Sequence, residues 1–142
     1  MYLKDQSSYI SGLVNMASSV SKTISKSYLQ ADCFEKKDYK SSFITMYEIP
    51  EDVFHLKEYN KNLDSLLKDL LGNNKDLIEG LLHWITLEAG NINKIYTVGE
   101  DSKALQYIGA ETGGYGPFYF CEDIYFIECD RFVICLMMGN DE

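Results

Sequence analysis

Between Phe118 and Met138 the chain is apolar at almost every position, on both of the alternating faces that a strand presents. Residues 124–129 and 132–138 are predicted as two strands joined by a tight turn at Asp130 and Arg131, with residues 118–121 a further strand ahead of them. If Cys129 sits opposite Phe132, then Tyr125, Ile127 and Cys129 share a face with Phe132, Ile134 and Leu136. Ile124, Phe126, Glu128, Val133, Cys135 and Met137 take the other face. A hairpin that is apolar on both sides belongs at the centre of a sheet, and core burial is expected ahead of a face kept for a partner.

The rest of the chain has to cover that hairpin. Residues 5–29 place Ile10, Leu13, Val14, Ala17, Val20, Ile24 and Tyr28 at helical spacing, which predicts one long amphipathic helix capped by Asp5 or Ser7. Ser7, Ser8, Ser11, Ser18, Ser19, Ser21, Ser25 and Ser27 are mediocre helix formers, so packing must hold this helix, with hydroxyls and lysines expected on its outward side. Residues 41–49 are rich in β-branched and aromatic types and stop at Pro50, which predicts a strand. Pro50, Glu51 and Asp52 then open a helix whose pattern firms up at Leu63, Leu66, Leu67, Leu70 and Leu71 and ends at Gly72 and Asn73. Another helix over 75–88 presents Leu77, Ile78, Leu81, Leu82 and Ile85 and is closed by Gly90; the short link predicts an antiparallel helix pair. Residues 95–98 and 104–108 read as strands around a GEDSK hairpin loop, and ETGGYG at 111–116 as a flexible connection whose glycines permit positive φ and display Tyr115. The expected fold class is α+β, with N-terminal helices packed on a mainly antiparallel C-terminal β-sheet in a single domain over 1–142.

Charge narrows the choice of partner. The net charge of −9 argues against nucleic acid and against an anionic membrane surface, both of which require clustered Lys and Arg. The charge is also polarised: bases slightly outnumber acids up to Lys40, whereas Glu111, Glu122, Asp123, Glu128, Asp130, Asp141 and Glu142 face a single base, Arg131, in the last third. The first apolar residues are broken up by Lys4, Asp5 and serines, unlike a secretory leader, and no run approaches the roughly 18 apolar residues of a membrane span. A cytoplasmic protein is expected. Cys33, Cys121, Cys129 and Cys135 form no CxxC pair, and buried free thiols in a reducing compartment are the simplest account of them.

Catalytic patterns are lacking. Gly109, Gly113, Gly114 and Gly116 invite comparison with a phosphate loop, but Glu111 sits among them, Pro117 and strand-like residues follow, and no lysine occurs after Lys103. His55 and His83 are the only histidines, and neither lies beside a nucleophile in the sequence, although a pairing with Cys33 stays open. The carboxylates have no DxD, HExxH or ExxH spacing. The expectation is no catalytic residue, no metal and no cofactor. As a group, the acids together with tyrosines such as Tyr115 and Tyr119 make a surface suited to Arg and Lys on another protein.

The closing stretch FYFCEDIYFIECDRFVICLMMGNDE resembles the C-terminal β-hairpin of small acidic bacterial immunity proteins, those of contact-dependent growth inhibition and other polymorphic toxin systems. The shared pattern is an aromatic strand, a short acidic turn, a second apolar strand and a Gly-Asn-acid tail, here Gly139, Asn140, Asp141 and Glu142. The resemblance implies a non-catalytic inhibitor that neutralises a cognate basic toxin domain, often a nuclease, whose phosphate-binding groove an acidic protein can occupy. The partner-binding residues expected on this reading are Glu111, Tyr115, Glu122, Asp123, Glu128 and Asp130. The alternative is an acidic secretion chaperone that binds an effector segment, and an enzyme acting on a cationic small substrate comes third. Monomer and homodimer both remain open.

Overall fold

The computed structural model describes residues 1–21 and 27–141. Four helices and five strands run in the order α1 (Lys4–Val20), β1 (Ser27–Phe34), α2 (Tyr39–Met46), β2 (Lys57–Glu58), α3 (Leu63–Leu71), α4 (Lys75–Ala89), β3 (Ile92–Thr97), β4 (Phe120–Cys129) and β5 (Val133–Asn140), with short 3-10 turns at Glu51–Val53, Lys103–Tyr107 and Ala110–Thr112. The strands form one antiparallel sheet in the order β1-β5-β4-β3-β2. The fold is α+β, with helices packed on an antiparallel sheet. The N-terminal half also supplies two of its strands, β1 and β2.

The apolar hairpin is β4–β5, in the two most interior positions of the sheet, and its register is the one its pattern predicts: Ile127 pairs with Ile134, and Cys129 N–H donates to Phe132 O at 3.1 Å. Each face has its own core. Ile127, Cys129, Phe132, Ile134 and Leu136 pack with Leu29, Ala31 and Cys33 of β1 beneath α1, α3 and α4. Ile124, Phe126, Val133, Cys135 and Met137 pack beneath α2 and the loops around it. There Phe43 meets Phe126 edge-on at 4.9 Å, and Phe54 meets Phe126 at 5.8 Å. With both faces covered, the hairpin is core.

Helices α3 and α4 form as their leucine spacing predicts. Asn62 and Asn74 accept from Ser65 N–H and Leu77 N–H at their starts, and Gly72 and Gly90 end them at φ 82° and 87°. Other expectations are corrected. The first helix ends at Val20 and is not capped by Asp5 or Ser7: its N-cap is Leu3, and Leu29 lies in a strand. Ile24 and Ser25, read as part of that helix, and Glu142 in the acidic tail lie outside the described residues. Residues 41–49 are not a strand; helix α2 occupies most of them because Tyr39, Phe43 and Tyr47, four residues apart, all turn into the core. Residues 104–108 are a 3-10 turn that buries Ala104 and Leu105, so β3 pairs with β4 and β2 instead. The single helix expected from Pro50 to Leu71 is divided into the 3-10 turn Glu51–Val53, the short strand β2 and helix α3. The strands expected over 118–121 and 124–129 merge into a single strand, β4, which begins at Phe120 and bulges between Cys121 and Asp123, while Phe118 makes only an isolated bridge to Gly109.

Ser7, Ser11 and Ser18 of α1 face the sheet, while Ser8 and Ser19 are exposed. Cys33 N–H donates to Ser7 Oγ at 2.7 Å, Ala31 N–H to Ser11 Oγ at 3.2 Å and Leu29 N–H to Ser18 Oγ at 3.1 Å, while Asn15 Nδ2 donates to Leu29 O at 3.3 Å. Ser7 and Ser18 are buried, contrary to the expectation of an outward hydroxyl face. Four helical residues rise about 6 Å and two strand residues about 6.7 Å, so a helix lying antiparallel to an edge strand can place one polar side chain at each outward-facing backbone group. The free edge of β1 is thus satisfied by side chains, which closes it to pairing with another chain.

Candidate functional site

The predicted contact residues do not form one patch. Strand β4 separates Glu122 from Asp130 by about 26 Å at strand rise. At the far end, the Asp130–Arg131 turn is tied to the junction of α4 and β3. Asp130 Oδ2 accepts from Asn91 N–H at 2.9 Å, and Arg131 Nη1 donates to Leu87 O at 3.1 Å and Glu88 O at 3.0 Å. Arg131 therefore satisfies the carbonyl end of α4 and pairs with no acid. A Cβ at Gly90 would lie 2.6 Å from Asp130 Cβ, so the turn sits directly on the glycine that ends the helix. Glu128 accepts from Tyr39 OH at 2.6 Å and anchors α2 to the sheet.

The remaining four gather around the other end of β4, where the loop after β3, the two later 3-10 turns and the strand's bulge meet. Two hollows flank Glu100, Asp101 and Ser102 there. The larger, of about 720 Å³, contains Asp52, His55, Lys57, Lys103 and Asp123 among its walls. The smaller, of about 200 Å³, is lined by Glu100, Asp101, Glu111 and Glu122 together with Tyr119 and Phe120, and has no base among its described lining residues. The bulge lets adjacent residues serve both sides: Asp123 points to the larger hollow and Glu122 to the smaller. Tyr119 and Phe120 are 45% and 44% exposed, which is high for large apolar side chains on a strand. Tyr115 is also exposed but turns toward Glu48, and the hydrogen bond to that carboxylate raises its phenol above the usual range. Its loop is tight: a Cβ at Gly114 would lie 2.3 Å from Tyr107 O.

Neutral donors position the carboxylates. Glu122 accepts from Ser27 Oγ at 2.9 Å and Asn140 Nδ2 at 3.0 Å; Asp123 accepts from Ile124 N–H at 2.8 Å, Tyr125 OH at 2.9 Å and Thr97 Oγ1 at 3.3 Å. Asp141 accepts from Tyr28 OH at 2.7 Å. Burial first, and then the adjacent carboxylates, push the phenols of Tyr28, Tyr39 and Tyr125 up, so they remain protonated donors at neutral pH. Among the described residues every ion pair lies before residue 80, on Asp38, Glu35, Asp69, Asp64 and Glu79. Glu122, Asp123, Glu128, Asp130 and Asp141 are thus oriented by neutral donors with no ion pair among the described residues.

The groups weighed for chemistry are placed unfavourably for it. All four cysteines are buried, and burial, followed by nearby acids, pushes the thiols of Cys121 and Cys129 up to about 12. Cys33 is fully buried beside Ser7, and burial likewise raises its thiol. His55 is exposed and Nε2 meets Asp52 O at 2.8 Å; His83 is exposed and stacks edge-on with Trp84 at 5.3 Å. Among the described residues no group of three His, Cys, Asp or Glu side chains is arranged to hold a metal ion, and no helix is long and apolar enough to cross a membrane.

Sequence reasoning missed Glu100 and Asp101, which it placed in a hairpin loop, and the tyrosine donors Tyr28, Tyr39 and Tyr125. The recurrence of tyrosines in a chain rich in carboxylates was the available signal; which tyrosine meets which acid depends on strand register. No protein-family model, curated protein or solved structure matches this chain.

Proposed function

We propose that this protein is a non-catalytic, stoichiometric inhibitor: an immunity protein that acts in the cytoplasm and neutralises a cognate basic toxin domain, a nuclease, by presenting an acidic surface to its phosphate-binding groove. The observation that carries this reading is the set of acids at this end of β4, left without ion-pair partners among the described residues, in which Glu122, Asp123 and Asp141 are held in place by neutral hydroxyl and amide donors while Glu100, Asp101 and Glu111 are free to reach a partner. A nuclease groove is shaped for fixed, closely spaced negative charge, and carboxylates that are already ordered lose little freedom on docking. The contact centre on this reading is the smaller hollow: Glu100, Asp101, Glu111 and Glu122 supply charge, and Tyr119 and Phe120 supply the aromatic anchors that dominate interface energies. Long-range attraction would speed encounter and make it salt-dependent. Tyr115 and Asp123 lie on the flanks. Glu128 and Asp130, at the opposite end of β4, fall outside this centre.

The test is co-expression with the product of the gene immediately upstream. The neighbour should be toxic alone, growth should be restored by this chain, and the two should co-purify as a complex that salt weakens. Glu100, Asp101 and Glu111 have no partner among the side-chain hydrogen bonds and ion pairs of the described residues, so reversing all three to Lys should abolish rescue while leaving the melting temperature unchanged. Undiminished binding by that variant at low salt would refute the placement of the surface. A harmless neighbour with nothing co-purified would refute the immunity reading, and capture of an unfolded effector segment instead would favour the chaperone.

A further inference from the structure

Helix α1 carries three stripes. Ile10, Val14 and Ala17 enter the core, and Ser7, Ser11 and Ser18 satisfy the edge of β1. The third stripe is largely uncovered by the described residues: Tyr9, Met16 and Val20 are 41%, 66% and 59% exposed, with Gly12 and half-buried Leu13 between them. These positions recur about every 3.5 residues, the spacing of a seam between two packed helices. From Gln6 to Val20 the helix has no charged residue, although the protein carries a net charge of −9.

Gly12 lies at the midpoint of α1, and a Cβ there would meet nothing within 4 Å. The fold itself therefore does not require glycine at this position, where glycine weakens a helix relative to alanine. A glycine there does let a second helix approach closely.

We infer that α1 is the contact between two copies of this chain, packed antiparallel across a two-fold axis near Gly12 and Leu13. From Tyr9 to Met16 the seam is palindromic about that point, as a two-fold contact requires, and at its ends Val20 of one copy comes opposite Asp5 of the other. Tyr9 of one copy meets Met16 of the other, and the reverse, placing a thioether against a ring on each side of the axis, while Gly12 lets the backbones close. Two copies of an acidic protein approach most readily where carboxylates are few, and between Gln6 and Val20 this stripe has none. A basic partner would find nothing on it to pair with.

The size is consistent with a reversible dimer. A 17-residue helix presents a strip about 25 Å by about 11 Å, on the order of 280 Å² per copy. Exposed Trp84 and Leu87 on α4, which packs beside α1 in the same layer, extend the apolar area. Even doubled, the footprint is below the roughly 800 Å² per partner of a standard stable interface, so the contact is a weak, reversible one. The dimer stands whether or not the acidic hollow takes a toxin.

Sedimentation velocity of the full chain, from about 1 to about 200 μM, tests it, because an interface of this size should dissociate within that range. The expected result is a monomer–dimer equilibrium that Met16→Lys weakens at least about 30-fold with an unchanged circular dichroism spectrum. Gly12→Glu should do the same, and the open space around Gly12 keeps that variant folded if Met16→Lys is not. Glu111→Lys should leave the equilibrium where it is. A wild-type protein that stays monomeric throughout, or a dimer that survives both α1 substitutions, would overturn the inference.

Discussion

Replacing Ser7 with Ala should cost far more stability than the same change one residue later. Ser7 is 2% exposed, and its hydroxyl accepts from Cys33 N–H at 2.7 Å. Without it that amide has no acceptor, because the other side of β1 is turned toward β5 and the helix excludes water from the edge. Leaving a buried donor unpaired costs about 1–3 kcal/mol, and the better helix propensity of alanine returns up to about 0.5 kcal/mol. The net loss is about 0.5–2.5 kcal/mol, roughly 2–8 °C in melting temperature for a chain of this size. Ser8 is exposed and has no hydrogen bond through its side chain among the described residues, so Ser8→Ala has the propensity gain alone. The difference between the two variants therefore isolates the bond. Urea titration followed by circular dichroism measures it, and amide exchange at Cys33 should accelerate in Ser7→Ala only. If the two variants agree within about 0.5 kcal/mol, the usual scatter of neutral surface substitutions, the serine stripe is not what satisfies the strand edge.

Other consequences can be checked in the same way. Burial holds the Asp32 carboxyl above its ordinary range despite the opposing hydrogen bond from Tyr47. A raised folded value means its contribution to stability is full below the unfolded pKa of about 3.9 and is lost as pH rises through the folded value. Asp32→Asn should therefore gain on wild type toward neutral pH and lose that advantage as pH falls below about 3.9; parallel urea midpoints across this range would contradict it. Cys121 and Cys129, with thiols near 12, should resist maleimide in the native protein and react only through unfolding, so that mass spectrometry showing rapid native labelling would be the contrary result. Gly139→Ala should destabilise by about 1–3 kcal/mol, since the added Cβ would lie 2.5 Å from both Phe118 Cγ and Phe120 O, and an unchanged denaturation midpoint would count against that packing.

Legibility followed the strength of local periodicity. The β4–β5 register could be read because a slip of one residue would bring Glu128 into the layer that holds Ile127 and Cys129. The leucines of α3 left little ambiguity for similar reasons. Strand β1 was lost because its Leu29, Ala31 and Cys33 alternation begins where the helical spacing Val20, Ile24, Tyr28 still holds, and the shorter pattern was absorbed into the longer. Helix α2 was lost to β propensity, although Tyr39, Phe43 and Tyr47 supplied helical spacing. At the candidate site, the charge of the C-terminal third was legible, but its division was not. The bulge at Glu122, the clamp on Asp130 and the Tyr39 bond to Glu128 arise only when distant segments meet.

The serine-lined edge also bears on how the chain survives its own synthesis. Strand β1 pairs along its inner side only with β5, and Ser27 waits for Asn140, more than 100 residues later. At about 5–20 residues per second a ribosome takes roughly 5–20 s to make that stretch. An apolar strand with two open edges would be available for that interval to any neighbouring nascent chain. Helix α1 is made first, lies next to β1 and needs nothing downstream to dock its serines along the outer edge. It leaves one side exposed instead of two, so that a misplaced strand can add but cannot propagate. A helix that is a weak folder in isolation is thus well placed to act as a companion to the strand that follows it until the far hairpin arrives.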